Sequence, residues 1–381
     1  MILSEIGTQP KLKEHLTWIE LDAVALEHNL ERIKMLTMPS AEILAVIKAN
    51  AYGHGLLEIA KILEKKVTYF GVASIEEALK LRQYEIETPI LLFGIHFKEQ
   101  IERAIQARIV LSISSLEQAE MIQEVAVKLE QPAAVHLKID TGMGRLGIPL
   151  RSAKKTIQKI CTFSSLKLEG IYTHLPIAEE TALAYTEDQI RDFQNLIAIL
   201  GERGISFPYR HAANSAGIFN YKSAHLNLVR PGLALYGIYP NPALIGKVQL
   251  KPVLHWRARV VLIKTIHAGE SVGYGRTFIA EEKTTVAVLP VGYSHGYPVA
   301  LSNQARVLLN GKSYRVTGRV SMDYLVIDLG EDSAHPGDIA TLLGSDHDES
   351  VSAEQLAVLV GSIPYEIVTR INPQIPRVLQ R

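Results

Sequence analysis

Between residues 43 and 230 the sequence repeats one plan, a short β-branched or aliphatic run followed by an amphipathic segment. The runs are ILAVIK (43–48), YFGVA (69–73), PILLF (89–93), IVLSI (109–113), AVHLKI (134–139), LEGIYTH (168–174), YRHAA (209–213) and LNLVR (226–230). Between them lie segments such as IEEALKLRQY, LEQAEMIQEVAVKL and TEDQIRDFQNLIAIL, with apolar residues at three- and four-residue spacing. Short apolar runs alternating with helical patterns imply parallel strands joined by crossover helices. Eight such units predict an N-terminal (β/α)8 TIM-type barrel rather than an open doubly wound sheet.

Beyond Tyr239 the texture changes. Pro240, Pro242 and Pro252 punctuate the chain, and RARVVLIKTI, TTVAVLPV, ARVLLN, YLVIDL and IATLLG read as short strands with turns between them. This half is expected to be a C-terminal, predominantly antiparallel β domain. The expected division is 17–240 for the barrel and 241–381 for the β domain. TWIELD precedes the barrel pattern and is followed by a helix that Asp22 can cap. Its strand, around 17–21, can pair with the β domain instead of the barrel.

A chain of 381 residues, 47% of them hydrophobic, can build two such cores. Its 40 basic and 40 acidic side chains balance, which leaves no electrostatic footprint for nucleic acid or anionic lipid. No stretch approaches the ~18 uninterrupted apolar residues of a membrane span, and the start MILSEIGTQPKLKEHL has no apolar secretory core. A cytoplasmic location is expected, with neither nucleic-acid nor membrane partners. The single cysteine, Cys161, leaves no internal disulfide and no cysteine-rich metal site. No metal is expected.

In a parallel barrel the C-terminal strand ends surround one mouth, so polar residues there converge. The first run ends in Lys48 and continues A-N-A-Y-G-H-G; the fifth carries Lys138, then I-D-T-G-M-G-R-L-G. The sixth ends in His174, the seventh leads into A-A-N-S-A-G, and the eighth ends in Arg230-Pro-Gly. Lys48 reads either as a surface lysine or as an amine whose proton is easily lost in a desolvated mouth, which Schiff-base chemistry requires. The flanking Gly53 and Gly55 point to a close approach of ligand or backbone. Asn214 and Ser215 can open a helix, and Gly232 and Leu233 offer backbone N–H groups where TIM barrels frequently bind phosphate; N-S-A-G can equally be a capped turn. A Schiff-base lysine opposite a phosphate cradle suggests pyridoxal 5′-phosphate (PLP).

A-V-I-K-A-N-A-Y-G-H-G, K-I-D-T-G-M-G-R-L-G, Y-T-H, A-A-N-S, V-R-P-G-L-A-L-Y-G, G-Y-G-R-T-F, V-G-Y-x-x-G-Y-P, R-V-S-M-D and I-P-Y-E occur here in that order. Together they resemble the bacterial alanine racemase family from about Thr17 to the C-terminal P-R-V. The resemblance implies a PLP-dependent isomerase that interconverts L- and D-alanine and supplies D-alanine for peptidoglycan. It also implies a head-to-tail homodimer in which the β domain of one chain covers the barrel mouth of the other.

Racemisation removes the α-proton on one face and returns one on the other, so two bases must flank the reacting carbon. The resemblance gives Lys48 the cofactor linkage and the D-alanine face, and Tyr274 the L-alanine face. Phenols ordinarily titrate near about 10, so a phenolic base needs cationic or hydrogen-bonding neighbours, for which His174 and Arg230 are suitable. Arg230 resembles the residue facing the pyridine nitrogen; as a permanent donor it would leave that nitrogen unprotonated and limit side reactions such as transamination. Arg145 resembles the arginine near the cofactor phenolic oxygen and the substrate carboxylate, and Lys138 the lysine often carbamylated beside it. Tyr52, Asn214, Ser215, Gly232, Leu233 and Tyr365 complete the cofactor-binding set, and the Tyr365 ring also narrows the entrance. Met322 matches a substrate contact through its backbone N–H. Tyr293 is an entrance-gate residue, Asp323 lies behind the contact, and His211 reads as a supporting histidine. By resemblance Tyr274, Tyr293 and Met322 act across the dimer.

Some positions depart from the commoner pattern. Ser294-His295 stand where Ala-Asp is more usual, Leu175-Pro176-Ile177 follow His174, and Ser321 replaces a frequent cysteine. They bear on gate polarity and on the exclusion of larger amino acids, so a serine or broader-specificity racemase is the nearest alternative. A PLP-dependent decarboxylase of basic amino acids would need an acid where Arg230 stands. A one-domain, noncatalytic PLP-binding barrel would lack Tyr274.

Overall fold

All eight apolar runs form parallel strands in the structure, a computed structural model that describes residues 14–180, 184–246 and 248–380. The first thirteen residues, most of the stretch read for a secretory signal, lie outside the described residues. The barrel strands are Glu42–Val46, Tyr69–Val72, Ile90–Leu92, Val110–Ile113, Ala133–Asp140, Leu166–Tyr172, Tyr209–His211 and Leu228–Val229. Each pairs with its successor in sequence from the first to the seventh, and the eighth pairs with the first. The remaining seam is bridged by backbone hydrogen bonds from Asn227 N to Arg210 O (3.3 Å) and from Arg230 N to Ala213 O (2.9 Å). The strands are mostly apolar because one face meets the barrel interior and the other the surrounding helices, with polar exceptions such as His136, Lys138 and His211.

Local signals fix where the helices begin. Ser74, Ser115 and Asn214 each accept a hydrogen bond from the backbone N–H three residues on, which opens the helices Ile75–Gln83, Leu116–Lys128 and Ser215–Asn220. Asp22 caps Ala23–Leu36 in the same way, accepting from Ala25 N at 2.7 Å.

The second sheet is antiparallel except at one edge. Its main path runs Leu262–Ile266, Thr284–Leu289, Leu325–Gly330, Lys312–Val316, Arg306–Leu309, Ile339–Asp346, Leu254–Arg259, Thr17–Asp22 and Arg377–Gln380. Thr17–Asp22 thus belongs to the β domain, antiparallel to Leu254–Arg259 and parallel to Arg377–Gln380. The chain enters through the second sheet, crosses by the helix Ala23–Leu36, builds the barrel and returns. Buried Asn29 stitches this crossing: its Nδ2 donates to Leu235 O (3.1 Å) and Lys251 O (2.7 Å), and its Oδ1 accepts from Lys251 N (2.8 Å). Barrel and β domain share one continuous apolar core, with a small satellite around Ile266, Val272, Ala280 and Val286. No helix among the described residues is long and apolar enough to cross a membrane.

Candidate active site at the barrel mouth

Just past the first barrel strand the backbone turns the wrong way for L-amino acids. Ala49, Asn50, Ala51 and Tyr52 have φ of 53°, 54°, 52° and 54°. A left-handed turn costs roughly 1–2 kcal/mol per residue bearing a Cβ, so its surroundings must hold it. Asn50 N donates to Glu77 Oε1 (3.1 Å), Asn50 Oδ1 accepts from Leu56 N (2.9 Å), and Gly55 N donates to Asn50 O (2.9 Å). The other Glu77 oxygen accepts from Ala73 N at 3.1 Å, so one carboxylate ties the turn to the end of the second strand. Gly53 follows at φ 82°, where a Cβ would stand 2.0 Å from Val368 O. The turn is thereby pressed against the helix Pro364–Thr369, which carries Tyr365, and the Tyr52 and Tyr365 ring centroids are 5.9 Å apart.

Lys48 starts this turn. Burial lowers its pKa, the positive charges of Arg145 and Arg230 lower it further, and Glu77 opposes them. Lys138, on the fifth strand, is pushed down to about 8 by burial and then by Arg145, Arg230 and Lys48. Its Nζ lies 5.6 Å from the centre of the Tyr172 ring. The loop carrying Arg145 is folded around Asp140, whose carboxylate accepts from Gly142 N (2.9 Å) and Gly144 N (3.1 Å).

Across the mouth, Asn214 is spent as a helix cap, its Oδ1 accepting from Gly217 N at 2.9 Å. Ser215 Oγ gathers two backbone donors, Gly232 N at 2.9 Å and Ala234 N at 3.3 Å. The Tyr52 hydroxyl reaches the same turn, because a Cβ at Gly232 would lie 2.6 Å from it. Leu233 is fully buried within this turn.

Arg230 is buried and has no carboxylate partner among the described residues. Its guanidinium donates to Thr173 O (2.8 Å), Ala212 O (3.0 Å) and His211 Nδ1 (3.0 Å), and its Nη2 stands 3.5 Å from His174 Nδ1. Burial lowers Arg230 to about 10, which leaves it cationic at neutral pH. Burial, followed by the charge of Arg230, brings His174 down to about 3 and His211 well below the ordinary histidine range. Both imidazoles are therefore neutral, and His174 can support a phenol only by hydrogen bonding.

Tyr274, Tyr293 and Met322 stand apart from this cluster on the β domain, with exposures of 71%, 46% and 54%. Tyr293 and Met322 belong to one laced unit: Tyr293 N donates to Ser321 O (3.0 Å) and Ser294 N to Met322 O (3.0 Å). Ser294 Oγ lies 2.8 Å from Met322 O and 3.0 Å from Asp323 Oδ1, so Asp323 steadies the segment.

Sequence reasoning missed Glu77, Ala234 and His136. Glu77 looks like an ordinary first-turn acid, Ala234 contributes only its backbone, and His136 sits mid-strand. The alternation His136-x-Lys138 on a barrel strand was the available signal, since residues two apart share a face.

The family descriptions "Alanine racemase, N-terminal domain" and "Alanine racemase, C-terminal domain" match residues 21–240 and 253–379. Alanine racemase 1 of Caldanaerobacter subterraneus subsp. tengcongensis is 39% identical over 365 residues, 95% of this chain and 94% of that protein. The solved alanine racemase of Clostridium difficile 630 superposes with a TM-score of 0.92 at 34% identity, covering 96% of each chain. The alanine racemase of Bacillus anthracis with bound L-Ala-P gives 0.90 at 33% identity, covering 96% of this chain and 95% of that one. With both domain families matched in order and the likeness running nearly end to end, the chain belongs to the alanine racemase family of PLP-dependent isomerases.

Proposed function

We propose that the chain racemises alanine as a cytoplasmic, PLP-loaded homodimer, moving the α-proton between Lys48 on one face and Tyr274 on the other, and so supplies D-alanine for peptidoglycan. The observation that carries this reading is the pairing of two features across one mouth. Lys48, with a lowered pKa, faces a cradle in which Gly232 N and Ala234 N converge on Ser215 Oγ under the Tyr52 hydroxyl. Because Ser215 Oγ accepts from both backbone groups, its own proton and the Tyr52 hydroxyl are left to donate, which suits a phosphate, and the Gly232 backbone leaves room where a side chain would collide.

When bound, PLP withdraws the electron pair left behind as the α-proton departs. Lys48 would hold the cofactor and, once released, take the proton as a neutral amine and return it from the ammonium so formed; its burial and cationic neighbours favour the neutral form from which proton removal starts. Tyr274 does the same from the opposite face. Tyr274 is exposed on the β domain, which leaves it free to reach the barrel mouth of a second copy. Tyr293 and Met322 share that exposure, and Gly273, beside Tyr274, packs against the backbone of Arg319. These segments are ready to cover a partner's mouth, where Met322 N contacts the substrate and Tyr293 and Tyr365 narrow the entrance.

Arg230 would offer a donor to the ring nitrogen of the bound cofactor and so keep it unprotonated, which would limit the reaction to proton transfer. Arg145 pairs with the substrate carboxylate. Lys138, lowered to about 8, keeps a substantial neutral fraction near physiological pH, and a neutral amine is the form that adds carbon dioxide. Carbamylation would replace a cation that repels Arg145 with an anion that attracts it. In ¹³C-bicarbonate buffer, a carbamate carbon signal lost in Lys138→Gln would support this. The activity itself is tested by following the optical rotation of L-alanine and L-serine with PLP-loaded protein. Faster loss from L-alanine is expected, and no loss from either would contradict the proposal.

A further inference from the structure

Beneath Arg230 a line of buried imidazoles runs into the barrel interior. His211 Nδ1 lies 3.0 Å from Arg230 Nη1, and His211 Nε2 lies 2.9 Å from His136 Nδ1. A guanidinium can only donate, so His211 Nδ1 must carry a lone pair and Nε2 the proton. That proton points at His136 Nδ1, which must accept it, so the proton of neutral His136 sits on Nε2. His136 Nε2 is buried without a hydrogen-bond partner among the described residues. Each tautomer along the line is thus set by its neighbour.

The barrel is shaped to seat His136. The fifth strand slips register against Leu166–Tyr172 between Val135 and His136. Opposite the ring stands Gly170, where a Cβ would be 2.5 Å from His136 Cε1 and Nδ1. Tyr69 meets the ring edge-on at 5.5 Å between centroids, and the Tyr209 ring is stacked at 6.2 Å. His211 is stacked on Tyr172 at 4.7 Å and an interplanar angle of 7°, so it cannot tilt to find another acceptor. Burial and the charge of Arg230 keep both rings neutral.

We infer that His136 is a positioning residue: by accepting from His211 it fixes the His211 tautomer, and so presents to Arg230 the lone pair that orients its guanidinium. This deepens the reading in which Arg230 faces the cofactor ring nitrogen, and rests on it. Without the His136 acceptor, His211 could move its proton to Nδ1 and turn a donor toward Arg230, which can accept nothing. The guanidinium would then lose one of its three anchors and swing.

The test uses the full-length, PLP-loaded protein labelled with ¹⁵N-histidine. In the wild type, both His136 and His211 should give neutral Nε2–H signals near pH 7. A protonated or Nδ1–H His211 there would overturn the inference, whatever the activity of the protein. Two variants then separate positioning from packing. His136→Phe keeps a ring but removes the acceptor, whereas His136→Asn keeps a carbonyl acceptor.

In His136→Phe, His211 should show a mixed tautomer, and the ratio of transamination to racemisation should rise by roughly tenfold, the effect of one charge-assisted hydrogen bond. His136→Asn should recover most of both. An unchanged ratio in a folded His136→Phe, or equal loss in the two variants, would leave His136 as packing only and refute the positioning role. Because the tautomer signals need no turnover, failure of this inference is distinguishable from failure of the racemase reading.

Discussion

The Tyr52 hydroxyl fills the space above the Gly232 backbone, where a Cβ at position 232 would stand 2.6 Å from it. The left-handed turn after the first strand and the turn after the eighth therefore meet through one phenol and one missing side chain. Gly232→Ala should push Tyr52 aside and weaken PLP binding by about 1–3 kcal/mol, the usual cost of overpacking, as read by fluorescence titration. Adding Tyr52→Phe removes the clashing oxygen, so the double variant should bind no worse than Gly232→Ala alone. Unaltered affinity in Gly232→Ala would show that this turn does not form the cradle.

The left-handed turn makes a stability prediction that most alanines would not. Ala49 is exposed and sits at φ 53°. Ala49→Gly relieves roughly 1–2 kcal/mol of backbone strain against about 0.5–1 kcal/mol of unfolded-chain entropy. It should leave the thermal midpoint unchanged or raised at matched PLP and protein concentrations. Ala49→Val should lower it. A fall with glycine as large as that with valine would mean the turn is not left-handed.

Lys138 makes stability depend on pH in a direction that follows from its lowered pKa. Its folded value is about 8 against an ordinary 10.5, so between these the unfolded chain binds more protons than the native one. Stability should rise with pH through that window. In bicarbonate-free buffer, Lys138→Gln should gain stability over wild type near pH 7 and lose the advantage near pH 10. An advantage independent of pH would place its origin elsewhere than in the charge.

Arg230→Glu sets an acceptor against two acceptors, because Thr173 O and Ala212 O both receive from the guanidinium. The imidazoles can adapt, chiefly His211 at 3.0 Å and then His174 at 3.5 Å, by carrying a proton on Nδ1. The variant should still bind PLP, with a protonated His211 and more transamination relative to racemisation. An unchanged ratio with an unchanged cofactor absorption spectrum would mean that Arg230 does not face the ring nitrogen.

Much of this was legible in the sequence because buried parallel strands declare themselves. Each of the eight runs matches its strand to within two residues at either end, the first, fifth and sixth strands beginning before their runs at Glu42, Ala133 and Leu166 and the fifth ending one residue later at Asp140. Lys48, Lys138, His174 and Arg230 stood out as polar groups at or near the ends of apolar runs. The strand Lys312–Val316 escaped because G-K-S-Y-R is polar on its open face. The parallel edge between Thr17–Asp22 and Arg377–Gln380 escaped because it joins opposite ends of the chain, which no local pattern reports. Glu77 and His136 escaped for a related reason. Their partners, the backbone of Asn50 and the ring of His211, are brought to them only by the closed barrel.

The central claim is that Lys48 and Tyr274 serve opposite faces of the substrate, and Tyr274→Phe tests it most directly by removing one proton-transfer group while nearly keeping the ring volume. Dimerisation and PLP content are checked first, because Tyr274 lies on the face proposed to meet the partner. In deuterated water, α-proton exchange of D-alanine should persist at a reduced rate, since Lys48 can abstract and return a proton on its own face. Racemisation and L-alanine exchange should fall together by roughly 10² to 10⁴. Equal loss of exchange for both enantiomers in a PLP-loaded dimer, or faster exchange of L-alanine, would contradict the assignment.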